Sequence, residues 1–464
     1  MPAAGVAAFA CPDAHELSRI LAMHIPGDAS AAFVPRSRDT GLLAEARRHP
    51  DLVVLVISLV ADIRLLQGVG LPASFTLFEL VIWLYCAPWL LGQAMGGGLQ
   101  VAPAARGVVV CYAAYVGWIM FAATCAVIWR GSTDVAQLAK NVVPGLVLLL
   151  FLAVRLRAAA SWLLTADVYV LWTLASCLLA IVQVVAGGPY LKPLVDVTDA
   201  KLALSGELVV NPAVGFMRHP NVFALSVLPA VMIAAMKVGL DLRQWRRVRP
   251  CDVAALGVLV AGLVLSEAKG AIIWCAVAVV ASSLIAGLRG PLPRLVLVIA
   301  VDTAITLYSL RAAQLDPSSS LATVETRFLL WQTALSALQV DRFTALFGDA
   351  VGYMRDWSGV MANWTFPSAH NGWLDQVVYF GLPGLLAYAA VWWSFFVAMR
   401  DAGRRAGRGS LILARAAEAS VLAMAGLYLF EPAAADVYFV AQWTLLIGLG
   451  TAAAGASRGR AAVS

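Results

Sequence analysis

Charged residues are scarce in this sequence. Asp, Glu, Lys and Arg make up 13% of the 464 residues, whereas they make up about a quarter of an average soluble domain. Hydrophobic residues make up 61% of the chain. These two figures exclude an ordinary soluble enzyme and a disordered scaffold, and they predict that most of the chain lies in a lipid bilayer. The net charge of +6 is small for this length and does not indicate a nucleic-acid partner.

Sequence motifs for nucleotides and metals are also missing. The chain contains no Walker A loop, no dinucleotide glycine fingerprint, no HExxH, no GxSxG and no DxD pair. No two of the seven cysteines form a CxxC pair. Six cysteines lie in or beside apolar segments and are predicted to be packing residues: Cys86, Cys111, Cys125, Cys177, Cys251 and Cys275. The sequence therefore predicts no metal site and no cofactor.

The apolar segments predict an all-α, polytopic membrane bundle. A spanning helix needs about 20 apolar residues. Twelve segments qualify: 51–67, 70–94, 106–129, 134–155, 158–186, 214–240, 251–267, 269–288, 291–311, 372–399, 411–430 and 433–454. Four regions follow: a cytoplasmic tail (1–50), helices one to nine (51–311), a large, partly helical loop (312–371), and helices ten to twelve with a short tail (372–464).

The short loops predict how the bundle is oriented. With the N-terminus inside, thirteen Lys and Arg residues fall on the inner side and six on the outer side, when the loop 312–371 is left out. Basic residues accumulate on the cytoplasmic side of membrane proteins. We therefore expect the two long non-helical stretches, 187–213 and 312–371, to face outward, which in a bacterial inner membrane is the periplasm.

Polar residues gather at the start of three helices on the predicted outer face. The three starts contain Arg218-His219-Pro220-Asn221, Glu267-Ala268-Lys269 and His370-Asn371. Unpaired backbone N–H groups and the positive end of the helix dipole bind anions there, and a nearby cation strengthens the site. Three such starts together suit a diphosphate. The alternative for Lys269 is a plain helix-end lysine.

The large loop contains a fourth candidate element. Phe328, Trp331, Leu335 and Leu338 recur at helical spacing within residues 326–340 and predict an amphipathic helix at the membrane surface. Arg327 lies in the first turn of this helix, one turn before Trp331. It is either a ligand for an anion or an interfacial arginine whose charge reaches toward water.

His370 is the candidate for proton chemistry. Of the five histidines, only His219 and His370 lie on the predicted outer face. A helix N-terminus disfavours the imidazolium form, so His370 is expected to be neutral and able to accept a proton near pH 7. The alternative is a surface histidine that only forms hydrogen bonds.

The motifs around His370 resemble those of the bacterial O-antigen ligases and O-antigen or exopolysaccharide polymerases. His370-Asn371 is followed by nine residues and then by Gly381-Leu382-Pro383-Gly384, which is similar to the family pattern of His-Asn, a nine-residue gap and Gly-x-x-Gly. The segment Arg327 to Trp331 resembles the start of the family's periplasmic helix. Phe347-Gly348 is similar to its glycine-containing turn. Lys269 stands where a ligase usually has arginine. The resemblance covers about residues 205–450.

The resemblance implies a GT-C-like glycosyltransferase that needs no metal. Its donor would be a glycan on undecaprenyl diphosphate, and its acceptor a sugar hydroxyl, on lipid A core for a ligase or on the next lipid-linked unit for a polymerase. His370 would accept the acceptor's proton or position its hydroxyl, and three cations would stabilise the leaving diphosphate: Arg327, Lys269 and Arg218. The remaining residues of the implied substrate site are Asn221, Trp331, Asn371 and Glu267.

Two alternatives to glycan transfer onto a sugar remain open. One is a protein O-oligosaccharyltransferase, which would use the same chemistry on a protein. The other is a polysaccharide or lipid transporter, because twelve helices also occur in transporters. No repeat relates the two halves of this sequence, and its largest loop lies between helices nine and ten rather than at the centre, which disfavours a transporter.

Overall fold

The structure is a computed structural model of the chain. It describes residues 42–61, 64–65, 75–131, 134–157, 159–185, 201–202, 208–209, 213–217, 219–243, 248–284, 291–315, 323–339, 342–348, 368–400, 408–428 and 437–459. Most of the predicted tail 1–50, Arg218, and parts of the stretches 187–213 and 312–371 lie outside the described residues.

Helices dominate the described part of the chain. They are α1 (Leu42–Arg48), α2 (Pro50–Val60), α3 (Leu77–Met95), α4 (Pro103–Arg130), α5 (Asp134–Arg155), α6 (Ala159–Val185), α7 (Pro220–Arg243), α8 (Pro250–Leu265), α9 (Lys269–Leu284), α10 (Pro291–Leu315), α11 (Thr323–Leu338), α12 (Arg342–Phe347), α13 (Gly372–Arg400), α14 (Arg408–Leu427) and α15 (Val437–Gly459). One turn of α3, Ile82–Cys86, is π-helical. Two antiparallel ladders of two-residue strands complete the described structure, β1 (Arg64–Leu65) with β2 (Phe75–Thr76) and β3 (Lys201–Leu202) with β4 (Leu208–Val209).

Seven described helices are long and apolar enough to cross a membrane, so the chain is a multi-pass membrane protein. They are α3, α4, α6, α7, α13, α14 and α15. Five further apolar helices have shorter described stretches: Pro50–Val60, Val142–Arg155, Pro250–Leu265, Lys269–Ala281 and Val296–Tyr308. Each of the twelve predicted segments overlaps one of these apolar helices.

The boundaries of three predicted segments were wrong. The first was expected to run to residue 67, but α2 ends at Val60, and the chain then enters the ladder at Arg64. The second was expected to start at residue 70, but α3 begins only after Thr76, whose side chain and that of Glu79 form a reciprocal capping box. The sixth was expected to start at 214, whereas α7 begins at Pro220, because residues 213–217 form a buried turn.

Five of the six cysteines predicted to be packing residues are at least partly buried, and all six are free thiols. Cys177 packs against Gly262 of α8, where a Cβ atom would overlap the sulfur. Cys251 is exposed at the start of α8 and is therefore not a core residue, because its position in the first turn leaves it outside the packed part of the bundle.

Ion pairs join helix ends at one end of the bundle. Arg155 Nε, at the end of α5, donates to Asp51 Oδ2 at the start of α2 at 2.9 Å. Arg408, at the start of α14, pairs with Asp241 near the end of α7. Both arginines belong to the set predicted to face inward. We call the end that contains these pairs the basic end.

The opposite end contains the start of α13 and the end of α14. The backbone N–H of Gly372 donates to the carbonyl oxygen of Tyr428, and Trp373 Nε1 donates to Ala425 O at 3.2 Å. A Cβ atom on Gly372 would overlap the ring of Tyr428. Only glycine therefore allows α13 to begin this close to α14. We call this end the site end.

A kink in α13 fits the backbone of α12. Gly381 has a φ of 71°, and a Cβ atom there would overlap the backbone of Leu346. Gly348, directly after α12, has a φ of 82° and lies equally close to the backbone of Tyr379. Glycine avoids both the left-handed strain and the overlap. This backbone contact gives the first glycine of the Gly-x-x-Gly motif a packing role.

Trp118 of α4 supports the kink from the other side. Its Nε1 donates to Phe380 O at 2.8 Å, and its ring stacks on Phe347 with 5.9 Å between centroids. Gly384 allows this approach, since a Cβ atom there would lie 2.5 Å from Phe380 Cβ and 3.4 Å from the indole. The second glycine of the motif therefore also has a packing role.

We expect Gly381→Ala to destabilise the protein by about 3 kcal/mol, because alanine is strained at positive φ and overlaps α12. Gly257→Ala is the matched control. This exposed glycine of α8 has open space around its Cβ position, and the higher helix propensity of alanine should stabilise the helix by at most about 1 kcal/mol. Thermal unfolding in detergent, followed by tryptophan fluorescence, compares the two. Equal stability of both variants would contradict the role of Gly381.

Candidate functional site

Asn371 begins the helix that follows His370. Its Oδ1 accepts hydrogen bonds from the backbone N–H groups of Trp373 at 3.1 Å and Leu374 at 3.0 Å. These are two of the N–H groups that an uncapped helix leaves unpaired. Asn371 is 7% exposed, so it acts as a buried N-cap of α13. This side chain is therefore committed to the helix start.

His370 precedes this cap in an unusual backbone conformation. Its φ is 50°, a left-handed value that a residue with a Cβ atom rarely adopts. Hydrogen bonds from the first turn of α13 stabilise this conformation: the carboxylate of Asp375 accepts from Ser368 Oγ at 2.7 Å and from the backbone N–H of Ala369 at 2.8 Å. Ser368 Oγ in turn accepts from the backbone N–H of His370 at 3.0 Å. The segment 368–371 is therefore fixed from both ends.

The environment of His370 keeps its imidazole neutral. Burial, which disfavours the imidazolium form, lowers the pKa of His370 to about 4, and the nearby positive charge of Arg327 adds to this effect. Arg327 of α11 thus lies within electrostatic range of His370. The imidazole is uncharged at neutral pH and can accept a hydrogen bond or a proton.

The structure confirms the predicted helix as α11. Leu330, Ala334 and Ala337 are at most 2% exposed and form the face that is buried in the protein, whereas Leu335, which belongs to the apolar set predicted to lie at the membrane surface, is 52% exposed. The two alanines allow α11 to pack closely against its neighbours α10 and α13. Trp331 is partly buried at the edge of this face, one turn after Arg327.

Glu267 lies in the tight turn between α8 and α9, and Lys269 begins α9. Glu267 is the other described non-glycine residue with a positive φ, 54°, and its carbonyl accepts from the backbone N–H of Lys269 at 3.0 Å. Ser266 Oγ donates to Leu263 O at 2.6 Å and accepts from Ala268 N at 3.3 Å. The charges of Glu267 and Lys269 are close enough to attract. Lys269 is the first residue of α9, as predicted.

The start of α7 is also built as the sequence predicts. Pro220 is its first residue, and His219 Nδ1 accepts from the backbone N–H of Asn221 at 3.1 Å. The preceding turn is anchored to α6, since Gln183 Oε1 accepts from the backbone N–H groups of Val214 and Gly215 at 3.2 and 3.1 Å. Asn221 therefore lies where the sequence places it, at a helix start.

Helix packing brings several of these starts to one end of the bundle. Trp274, in the second turn of α9, fills the space over Gly426 of α14, two residues before the Tyr428 that contacts α13. The helix that begins with Lys269 and the helix that begins after His370 thus share the last turn of α14. Helix α7 packs against both α9 and α14. Arg218 lies outside the described residues.

The most informative residue that the sequence did not single out is Asp375. It is 1% exposed and accepts two hydrogen bonds from the segment before its own helix. An acidic residue in the first turn, one turn after a capping Asn371, is a pattern that sequence reading can flag. The pattern does not reveal that the carboxyl reaches back to Ser368.

His370 offers an uncharged proton acceptor within electrostatic range of the Arg327 charge, and Lys269 begins a helix that packs against the same last turn of α14. Among the described residues, no group of three His, Cys, Asp or Glu side chains is placed to hold a metal ion. Such a set is suited to binding an anion and orienting a hydroxyl beside it.

No protein-family model matches the chain, and a search of the curated proteins finds no match either.

We expect Arg327→Gln to raise the pKa of His370 from about 4 toward its ordinary value of 6.5, because the repelling charge is lost. The recovery should be partial, since burial is the larger cause of the low pKa. NMR of histidine-labelled protein measures the titration, and His370→Gln assigns the signal. Arg342→Gln, which removes an exposed arginine from α12, is the control and should leave the pKa unchanged. An unchanged pKa in Arg327→Gln would contradict the interaction.

Proposed function

We propose that this protein transfers a glycan from undecaprenyl diphosphate to an acceptor sugar hydroxyl at the outer face of the bacterial inner membrane. The observation that carries the proposal is the neutral imidazole of His370, fixed at a helix start within range of the Arg327 charge. A base or hydroxyl ligand beside a fixed cation is what glycosyl transfer from a diphosphate requires. The motif resemblance supports the same reaction.

The proposed orientation has twelve membrane crossings with the site end outside. Arg155 and Arg408 lie at the basic end, in ion pairs with Asp51 and Asp241, and basic residues accumulate on the cytoplasmic side. The five shorter apolar helices supply the crossings beyond the seven long ones. One of them, α8, has 16 residues, about 24 Å, which is short for a 30 Å hydrocarbon layer. Lys269, which follows the turn after α8, would therefore lie slightly below the outer surface.

The diphosphate would bind between Arg327 and Lys269. Both side chains are partly buried, which strengthens their attraction to an anion relative to a fully exposed charge. Lys269 adds the positive end of α9. Arg218 is a third proposed cation. Glu267, which attracts Lys269, would limit the mobility of the lysine when no diphosphate is bound.

In the proposed reaction the acceptor oxygen attacks the anomeric carbon of the donor sugar. The bond between that carbon and the phosphate oxygen breaks, and undecaprenyl diphosphate leaves with the bonding electrons. His370 takes the proton of the acceptor hydroxyl or orients that hydroxyl. Direct attack inverts the anomeric configuration. The negative charge of the bound donor would offset Arg327 and raise the pKa of His370, which improves it as a proton acceptor.

The acceptor distinguishes the forms of this proposal. With lipid A core as acceptor the protein is an O-antigen ligase in lipopolysaccharide biosynthesis, and with the next lipid-linked unit it is an O-antigen or exopolysaccharide polymerase. Deletion of the gene followed by analysis of surface glycans separates them. Polymer that accumulates on the carrier beside bare lipid A core indicates a ligase, and single-unit chains indicate a polymerase. If the protein is instead a protein O-oligosaccharyltransferase, the deletion would leave both surface glycans unchanged and abolish glycosylation of a protein.

We expect purified protein in liposomes to form a new glycosidic bond from lipid-linked glycan extracted from the deletion strain. His370→Ala should slow bond formation by about 100-fold or more, because general acid–base groups contribute at least that much. His49→Ala is the control, since His49 contacts Arg155 at the basic end. Movement of the glycan across the membrane without bond formation would indicate a transporter instead. Full transfer by His370→Ala would remove His370 from the mechanism.

We expect Lys269→Ala and Arg327→Ala each to weaken binding of undecaprenyl diphosphate by about 10-fold, because each removes a charge-assisted hydrogen bond to phosphate. Lys269→Arg should bind better than Lys269→Ala. Binding in nanodiscs can be measured by tryptophan fluorescence, with undecaprenyl monophosphate for comparison. Lys237→Ala is the control, since Lys237 is paired with Asp252 at 2.7 Å toward the basic end. Unchanged affinity in Lys269→Ala and Arg327→Ala would exclude these residues from the diphosphate site.

A further inference from the structure

Asp375 has a buried carboxyl that accepts hydrogen bonds from the segment before its helix. It lies in the first turn of α13 and is 1% exposed. Both of its oxygens are used: Oδ2 accepts from Ser368 Oγ at 2.7 Å and Oδ1 from Ala369 N at 2.8 Å. Ser368 and Ala369 are also buried, at 3% and 0% exposure. Water therefore does not compete with these bonds.

The helix does not need Asp375 as its cap. Asn371 Oδ1 already accepts from Trp373 N and Leu374 N, at 3.1 and 3.0 Å. In a capping box the acidic side chain bonds back to the backbone N–H of the N-cap residue itself, which here is Asn371. Asp375 bonds instead to Ser368 and Ala369, so its two hydrogen bonds fix the loop.

The bonds of Asp375 extend to the backbone of His370. Ser368 Oγ donates to Asp375 and accepts from the backbone N–H of His370 at 3.0 Å. His370 has a φ of 50°, which is unfavourable for a residue with a Cβ atom and persists only where its surroundings fix it. Asp375 and Ser368 provide this fixation.

Resting on the proposed function, we infer that Asp375 is a positioning residue for glycosyl transfer. Through Ser368 it holds the backbone of His370 in the left-handed conformation that directs the imidazole to the Arg327 charge and the acceptor hydroxyl. Asp375 does not touch the substrate in this proposal. Its effect on the rate therefore exists only when the imidazole of His370 is present.

Three variants test the inference in the liposome transfer assay. Asp375→Ala removes both bonds of the carboxyl. Ser368→Ala removes the link from Asp375 to His370 and leaves the bond between Asp375 and Ala369. Asp375→Asn keeps an acceptor for Ala369 and a polar group for Ser368. We expect kcat to fall about 10- to 100-fold in the two alanine variants, because small misplacements of a reacting group have effects of this size. KM for the extracted lipid-linked donor should change less than about 2-fold, since Arg327 and Lys269 are untouched. Asp375→Asn should recover a large part of kcat.

A double variant separates positioning from a general structural role. In Asp375→Ala/His370→Ala, the residual rate should equal that of His370→Ala, because Asp375 acts through the histidine. Tyr115→Phe is the matched control: it removes a buried 2.7 Å hydrogen bond to the adjacent residue Gln376 without touching the loop. It should keep wild-type kcat. Hydrogen exchange of residues 368–374 should speed up in Ser368→Ala and remain slow in the control.

The outcomes distinguish this inference from the proposed function. If wild-type protein forms no glycosidic bond, the proposed function fails. If His370→Ala is inactive while Ser368→Ala and Asp375→Ala keep full kcat, only the positioning role is overturned. Additive losses in the double variant would also overturn it. If Asp375→Ala does not fold, Ser368→Ala decides the question, since it removes a single hydroxyl and leaves the bond between Asp375 and Ala369.

Discussion

Packing of glycine against aromatic rings at the last turn of α14 is the constraint on which the site depends. The indole of Trp274 in α9 packs directly against Gly426 of α14. The ring of Tyr428, just after α14, packs against Gly372 of α13. A Cβ atom at either glycine would push one helix away from the other. The starts of α9 and α13 therefore cannot move independently. Because α14 is mostly buried and is paired with α7 at the basic end, the two helix starts share a rigid support.

The kink in α13 extends this support to the large loop. The backbones of α12 and α13 meet where Gly348 and Gly381 both have positive φ, and the indole of Trp118 donates to the carbonyl next to the kink. Helix α11 contacts α13 as well. The loop is thus attached to α13 in two places, through α11 and, at the kink, through α12. This double attachment fixes the position of Arg327 relative to His370, although the two residues are 43 positions apart in the chain.

Much of this architecture follows from the sequence, because a lipid environment forces apolar segments to form helices. The starts of α7 and α13 were also predictable, since Pro220 and Asn371 have local roles at a helix terminus. The rest depends on contacts between residues that are distant in the chain. The spacing of Phe328, Trp331, Leu335 and Leu338 predicts an apolar face at the membrane surface, but it does not reveal that Leu330, Ala334 and Ala337 form the face buried in the protein. The role of Asp375 depends on a bond across seven residues, which no periodic pattern contains.

The proposed chemistry links proton transfer to the diphosphate. Burial and the Arg327 charge both lower the pKa of His370. A diphosphate beside Arg327 would favour the protonated imidazole, and by thermodynamic reciprocity a protonated imidazole would bind the diphosphate more tightly. As the acceptor loses its proton to His370, the hold on the leaving group would therefore strengthen during bond cleavage. Loss of that proton afterwards would weaken the hold and favour product release. One low-pKa histidine next to one arginine is sufficient for both effects.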